Sequence, residues 1–429
     1  MDNMKKNFVF VFLLLVNLMP AGELRSTIDL ALDNNEQIKI YNSQLLRSRE
    51  ELNAINRKQL PSLNLDSSYK YISEINKMEL TLPGQGTKEI ELGVHDTYDG
   101  GLTLSWLAFN GFGKESLVNI GENKLAVAEL QLAKMKKDIA YRTAACYINT
   151  KLQKIQREVI LTGRNRMQLQ YNKVKSWVDN GTALPLDLMT ISLSLAQYDQ
   201  QLIASEAAIE SAEDQLAILT GQKIEVPTDN LPERLEQVAP LFVSANEDVQ
   251  ILEVQRAVVE NNRTLTAAAN YPTLSLQASA RSGKPGVNPV DNKWMNYTTA
   301  GAVLQWNVWD WGGRAADQAA QRQDLLTWAA QQQQLSDQIK LNYNNALRDH
   351  KAMQKQLAVL KTSVKVAQDK MQIIQDQAKN GLATATDFRD ADADLTQYQL
   401  KLTQQQLNLY LKLIELDQLS GKQIKDWRI

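Results

Sequence analysis

Apolar residues return every seventh position at Leu188, Leu195, Leu202, Ile209 and Leu216, and the same spacing returns at Phe388, Leu395, Leu402, Leu409 and Leu416. A seven-residue seam keeps one stripe of a helix against its neighbours, which is the pattern of a coiled coil. Each run follows a proline-free stretch, Lys114 to Asp179 and Arg314 to Lys379, in which the only glycines are Gly121 and Gly163. Each stretch predicts a helix about 100 Å long at 1.5 Å per residue. Between long stretch and seam stand two related breaks, "DNGTALPLDL" and "KNGLATATDF". Asn180-Gly181 and Asn380-Gly381 supply a left-handed stop. Thr384 with Asp387 three residues on, and Pro185 with Asp187, restart the chain. Both breaks predict tips of helical hairpins, with return helices over Pro185 to Thr220 and Ala385 to Ser420.

The tips lie 200 positions apart, and that offset also relates Trp106 to Trp306, Gly113 to Gly313, Tyr198 to Tyr398 and Gly221 to Gly421. The chain is written twice. Helical segments from about Thr27 to Lys58 and Glu247 to Asn270 lead into stretches where the period changes to two. Leu63, Leu65, Tyr69 and Tyr71 alternate with Asn64, Asp66, Ser68 and Lys70, and Leu274, Leu276, Ala278 and Ala280 alternate with Ser275, Gln277, Ser279 and Arg281. Partner strands follow, with Leu102, Leu104, Trp106 and Ala108 in phase, and Ala302, Leu304, Trp306 and Val308. Polar loops are expected over Ile72 to Asp99 and Ser282 to Asn296. Strands of about ten residues with one apolar face, and with aromatics near their ends, suit a transmembrane β-barrel. Four strands cannot close a barrel, and open edges are not viable in lipid, so the chain is expected to oligomerise.

The amino terminus changes the picture further. Lys5 and Lys6 precede the apolar run "NFVFVFLLLVNLM", which ends at Pro20, Ala21 and Gly22. The run is shorter than a spanning helix and fits an export signal over residues 1–22. The sole cysteine, Cys146, is far from that junction, which argues against a lipid anchor, and it has no partner for an internal disulfide. Its expected role is a small apolar helix residue. A net charge of −2 and the absence of basic clusters interleaved with aromatics disfavour nucleic acid. With two histidines, His95 and His350, and no nucleophile elbow, phosphate loop or metal-ligand cluster, the chain is not expected to be an enzyme or to carry a cofactor or metal. A secreted coiled-coil structural protein without a pore would satisfy the heptads alone, but the alternating strands speak against it.

The order of strand pair, long helix, Asn-Gly tip, return helix and terminal glycine, repeated at one offset, resembles the TolC family of outer-membrane efflux and secretion channels. The resemblance implies a homotrimer: twelve strands form one barrel among outer-membrane lipids, above a periplasmic α-helical coiled-coil tunnel. It also implies an exit duct working with an inner-membrane pump and a periplasmic adaptor of the membrane fusion class. Residues 23–221 and 247–421 are then the two repeats, 222–246 an equatorial linker and 422–429 a short tail. Asp387 and Asp390, with Asp187 in the first repeat, match the acids that line the family's periplasmic gate. The tips, Asn180, Gly181, Thr182 and Pro185 with Asn380, Gly381 and Thr384, match its adaptor-docking ends. Two members of the family's closing network are missing: its tyrosine position is Ala378 and its arginine position Ala383. The transported substrate is not encoded in these features.

Overall fold

The computed structural model of the chain describes residues 24–84, 86–228, 238–288 and 291–429. The expected export signal, and residues 229–237 of the expected linker, lie outside the described residues. In order, the elements are α1 (Leu24–Asn34), α2 (Glu36–Arg57), β1 (Ser62–Tyr71), β2 (Lys77–Leu82), β3 (Gly86–Glu91), β4 (Asp96–Asn110), α3 (Gly113–Asp179), α4 (Pro185–Thr220), α5 (Glu247–Ala268), β5 (Thr273–Lys284), β6 (Met295–Gln305), α6 (Gly313–Lys379) and α7 (Ala385–Leu419). The two longest helices are 67 residues each.

Three details depart from the sequence expectations. The first helical segment is divided at Asn35, whose side-chain oxygen accepts from the Gln37 amide at 2.9 Å and caps α2. The amide groups of Asn34 and Asn35 meanwhile donate to the carbonyls of Thr220 and Leu219, which α4 leaves unpaired at its end. The stretch expected as one polar loop from Ile72 to Asp99 holds a second antiparallel hairpin, β2 with β3, and the start of β4. Conversely, β6 stops at Gln305, although the alternation runs on through Trp306 and Val308. β6 is the last strand of its sheet, so no strand among the described residues bonds its far edge.

The chain forms two compact units. One comprises Tyr41–Leu132 and Glu247–Ser336. Its four-stranded antiparallel sheet has the order β1-β4-β5-β6, so the two repeats meet at β4–β5. The hairpin registers superpose: Ser62 faces Ser105 and Leu65 faces Leu102, while Thr273 faces Gln305 and Leu276 faces Ala302. Even the anchors repeat. Trp106 Nε1 donates to the Gln59 carbonyl and Trp306 Nε1 to that of Asn270, both at 3.0 Å. The long helices start alike too: the Asn110 side-chain oxygen accepts from the Lys114 amide, and that of Asp310 from the Arg314 amide.

The other unit comprises residues up to Ile40, Ala133–Asn246 and Asp337–Ile429. Its main core joins Ile28 of α1, Ala140, Ala144, Tyr147 and Ile148 of α3, Leu216 of α4 and Ile414 of α7. Trp427, in the carboxyl-terminal tail, is part of that core. Arg428 holds the tail down: its guanidinium and its backbone amide both bond the Asp417 carboxylate, which has no exposed side-chain surface. Cys146 packs against this core, and burial raises its thiol pKa. A second core towards the tips joins all four hairpin helices through Met167, Ile191, Met371, Phe388 and Leu395.

Candidate functional site

Both tips end their helix in the same way. The Gly181 amide donates to the Val178 carbonyl and the Thr182 amide to that of Trp177, while Gly381 and Leu382 donate to Ala378 and Gln377. This paired closure is a Schellman turn, which requires a left-handed residue, and both glycines sit at φ +71. Asn180 and Asn380 fold their side-chain amides back onto the carbonyls of Ser176 and Asp376. Thr182 adds its hydroxyl to the Trp177 carbonyl at 3.0 Å.

The restarts differ. Thr384 and Asp387 form a complete capping box: the Asp387 amide donates to Thr384 Oγ1 at 3.1 Å, and the Thr384 amide and hydroxyl donate to Asp387 Oδ2 at 2.9 and 2.7 Å. In the first tip Leu184 is the N-cap and has no oxygen to offer. Pro185 fills the first helical position, and Asp187 makes only the return bond, from the Leu184 amide at 3.4 Å. A cleft runs between the tips, lined by Trp177, Thr182, Leu184 and Asp187 on one side and Leu382 and Thr384 on the other.

The three matched acids are thus in different situations. The Thr384 side-chain and backbone donors hold Asp387 below the usual carboxylate pKa. Asp390 is exposed and bonded by the neighbouring Arg389 guanidinium at 2.7 and 2.9 Å. Asp187 is occupied at the start of α4. A turn further on, Asp394 pairs with Lys370 of α6 at 2.7 Å. That bond raises the Lys370 pKa, with Asp390 and Asp387 adding to it. Ala378 is buried in the tip core, and Ala383 packs against that core and lines the cleft between the tips.

Sequence reasoning missed the polar cluster behind the tips. Asp392 of α7 has no exposed side-chain surface and receives Arg166 Nε of α3 at 2.6 Å and the Tyr198 hydroxyl of α4 at 2.5 Å. The second Arg166 branch donates to Thr396 Oγ1 at 2.9 Å, which also lies 3.0 Å from the Tyr198 hydroxyl. Burial, and after it the Asp392 charge, push the Tyr198 pKa up, so the phenol stays a donor. Gly163 makes the room: a Cβ there would lie 2.8 Å from the Tyr198 oxygen. Gly163 had been visible only as an exception in a long helix.

The sheet also has two chemical faces. Leu63, Leu65, Leu102, Leu104, Leu276 and Leu304 share one, all exposed. On the other, Arg281 of β5 bridges Asp66 of β1 and Asp99 of β4, Tyr297 donates to Asp99, and Thr103 to Asp66. Gly101 lies directly across from Arg281 and would collide with it if it bore a Cβ. Among the described residues no helix is long and apolar enough to cross a membrane. The sheet thus alternates in chemistry and leaves both edges, β1 and β6, unpaired among the described residues.

Residues 27–222 and 241–422 match the outer membrane efflux protein family. The chain belongs to that family. No curated protein matches it in sequence. Among solved structures it is similar to CusC, at 15% identity and a TM-score of 0.79 over 95% of this chain and 96% of that one. It is also similar to VceC of Vibrio cholerae, at 17% identity and 0.76 over 93% and 96%, and to the CmeC outer membrane channel of Campylobacter jejuni, at 14% and 0.76 over 94% and 87%. The fold of this efflux protein is therefore the duplicated strand-pair and long-helix fold of trimeric outer-membrane channels. Its family is one of channels rather than enzymes, and a structural coiled-coil protein without a pore is set aside.

Proposed function

We propose that this efflux protein is the outer-membrane exit duct of a tripartite efflux or type I secretion system. Three copies close one barrel, the helical hairpins form a periplasmic tunnel, and the tips meet an adaptor and an inner-membrane pump. The carrying observation is the sheet: one face apolar, one polar, and two edges, β1 and β6, with no partner strand among the described residues. In lipid such edges must be paired.

Repeat equivalence supports one register for this pairing. Strand β4 bonds β5 with Gly101 across from Arg281 and Asn110 across from Thr273. Carrying β4 onto β6 and β5 onto β1 places Gly301 across from Lys70 of the next copy, Val303 across from Ser68 and Asp310 across from Ser62. Two features support this register. It gives Lys70 a glycine to lie over, as Arg281 has Gly101, and a Cβ at Gly301 meets nothing within this chain. It also supplies a partner for Trp306 and Val308, whose alternation outruns β6.

In a Cys146→Ala background, Ser68→Cys combined with Val303→Cys should give, on oxidation in outer membranes, a ladder that ends at three chains, since facing residues of antiparallel strands lie within disulfide reach. Monomers alone would overturn the reading. Under the same proposal Asn180, Gly181, Thr182, Pro185, Asn380, Gly381 and Thr384 dock the adaptor, and Asp187, Asp387 and Asp390 line the periplasmic gate.

A further inference from the structure

Three asparagines of the chain are followed by glycine: Asn110-Gly111, Asn180-Gly181 and Asn380-Gly381. Such a pair has a chemistry of its own. The amide nitrogen after an asparagine can attack the side-chain Cγ. The N–Cγ bond forms, the Cγ–Nδ2 bond breaks, and the proton given up by the backbone leaves with the ammonia. One water then opens the five-membered imide. Cleavage at Cγ gives aspartate, and cleavage at the main-chain carbonyl gives isoaspartate, in which the backbone runs through Cγ. Glycine favours the attack, because it has no Cβ to hinder it and the widest choice of backbone angles. Ring closure also requires the asparagine to leave its folded conformation, so the surroundings decide which pair reacts.

The structure separates the three. Asn110 ends β4 and caps α3, where its Oδ1 accepts from the Lys114 amide at 2.9 Å. Its surroundings are closely packed. A Cβ at Gly113 would lie 2.8 Å from Asn110 Nδ2, and one at Gly111 would lie 2.5 Å from the Ala268 carbonyl oxygen and 2.7 Å from Tyr271 Cβ. Gly111 and Gly113 are both buried. Asn180 and Asn380 are exposed, as are Gly181 and Gly381. A Cβ at either tip glycine would meet no atom within 4 Å, so the turn has room to rearrange. The bonds that hold each tip pair run to the last turn of its own helix: Asn180 to Ser176 and Gly181 to Val178, Asn380 to Asp376 and Gly381 to Ala378. An exposed helix end opens locally at a small cost in free energy, and opening that one turn frees both reacting groups.

We infer that Asn180 and Asn380 are sites of spontaneous deamidation while Asn110 keeps its amide, so that the protein ages at its hairpin tips. Water is the only co-reactant. Isoaspartate at 380 adds a methylene to the main chain just before the left-handed glycine, and the paired bonds from Gly381 to Ala378 and from Leu382 to Gln377 do not both fit the longer path. Isoaspartate at 180 acts likewise on the bonds from Gly181 to Val178 and from Thr182 to Trp177. Aspartate keeps the path, but it replaces a donor to the helix carbonyls with a negative charge at a helix carboxyl end, where the dipole disfavours it. Either product weakens the turn. Since the nucleophile is the deprotonated backbone nitrogen, the reaction should quicken as pH rises.

The full-length protein, folded in detergent, is incubated in heavy-oxygen water at mildly alkaline pH and then digested in ordinary water, so that only conversion during incubation carries the label. A parallel sample is unfolded in denaturant. In the folded protein, the peptides holding Asn180 and Asn380 should take up label at least tenfold faster than the one holding Asn110, with isoaspartate among the products. In the unfolded protein the three should convert at similar rates. Label at Asn110 as fast as at the tips in the folded protein would overturn the inference, and so would folded tips that stay unlabelled while the unfolded chain converts.

A second arm rests on the docking reading proposed above. When synthesis of the protein is stopped in non-growing cells, export should fall as isoaspartate accumulates at the tips. Asn180→Gln/Asn380→Gln keeps a side-chain donor and closes its imide far more slowly, through a six-membered ring, so it should hold export several times longer. If the tips convert and both proteins lose export at the same rate, the modification stands and the docking role of the tips falls.

Discussion

His350 of α6 is buried, and its Nε2 meets no hydrogen-bond partner among the described residues. Burial lowers its pKa from 6.5, and the nearby positive charges of Arg428 and Lys351 lower it further. Both causes favour the neutral ring. For Asp417 burial alone would raise the pKa, but the bonds from Arg428 and Lys422 outweigh it and the net shift is downward from 3.8. Both shifts act in one direction. The unfolded His350 takes up a proton near pH 6.5 and the native one only further down, so its contribution is present above 6.5 and is lost as pH falls through the native value. Asp417 contributes above pH 3.8 and is lost as pH falls through its depressed native value. Thermal melts of the detergent-solubilised protein should thus lose stability in two stages on acidification. His350→Leu should remove the stage that begins near pH 6.5 and leave the lower one, and a melting profile in the variant that matched the wild type would refute the assignment.

At the scale of elements, the Schellman closures make Gly381 a test of the tip. A Cβ there meets no atom within 4 Å, so a larger residue brings backbone strain and no clash. Leucine at φ +71 costs about 1–2 kcal/mol. Asparagine accepts that conformation at little cost. Under the docking proposal, Gly381→Leu should abolish export while detergent-extracted trimers persist, and Gly381→Asn should export normally. Export by the leucine variant at the wild-type rate would rule out the docking role.

The tip was readable because its chemistry is local: Asn-Gly stops a helix, and Thr384 with Asp387 starts one, whatever surrounds them. The return helix α4 likewise runs from Pro185 to Thr220 as the heptads predicted. The hairpin of β2 and β3 was missed although Met78 and Leu80 alternate with Glu79 and Thr81, because glycine and proline around it read as loop. The end of β6 could not be read at all, since where a strand stops depends on a partner and not on its own pattern.

At the scale of the whole molecule, the duplication made the fold legible, while the contacts between the two copies of the repeat did not show. No local motif marks Asp392 on α7, and only tertiary structure joins it to Arg166, 226 residues away. The acids proposed for the gate came from the family resemblance, with only the capping places of Asp187 and Asp387 legible locally, and the structure adds what the sequence did not weigh. Asp387 is engaged in a cap, and Arg389 accompanies Asp390 wherever three-fold symmetry repeats it.

Those two neighbours decide how the gate should behave. Under the proposed trimer and gate, Asp387 and Asp390 would form two rings of three carboxylates, an arrangement that attracts cations as acidic rings do in cation-selective pores. Arg389 offsets part of the Asp390 ring, so Asp387 carries most of the field. The donors of Thr384 keep Asp387 ionised below the ordinary carboxylate value, which opposes the mutual repulsion of three like charges. Its depressed pKa means that the charge is present above pH 3.8 and is lost only as pH falls below that value. A trivalent cation added on the periplasmic side of a planar bilayer should therefore block the closed pore equally at pH 7 and pH 5, and be released only as pH falls below 3.8. Asp387→Asn keeps an acceptor oxygen for the Thr384 amide, so the cap survives while the charge goes. That single change should weaken the block at least tenfold, and Asp390→Asn should weaken it less, because Arg389 already screens that ring. Should block and cation preference survive when both are asparagine, the capping role is all that these aspartates have, and the constriction lies elsewhere in the tunnel.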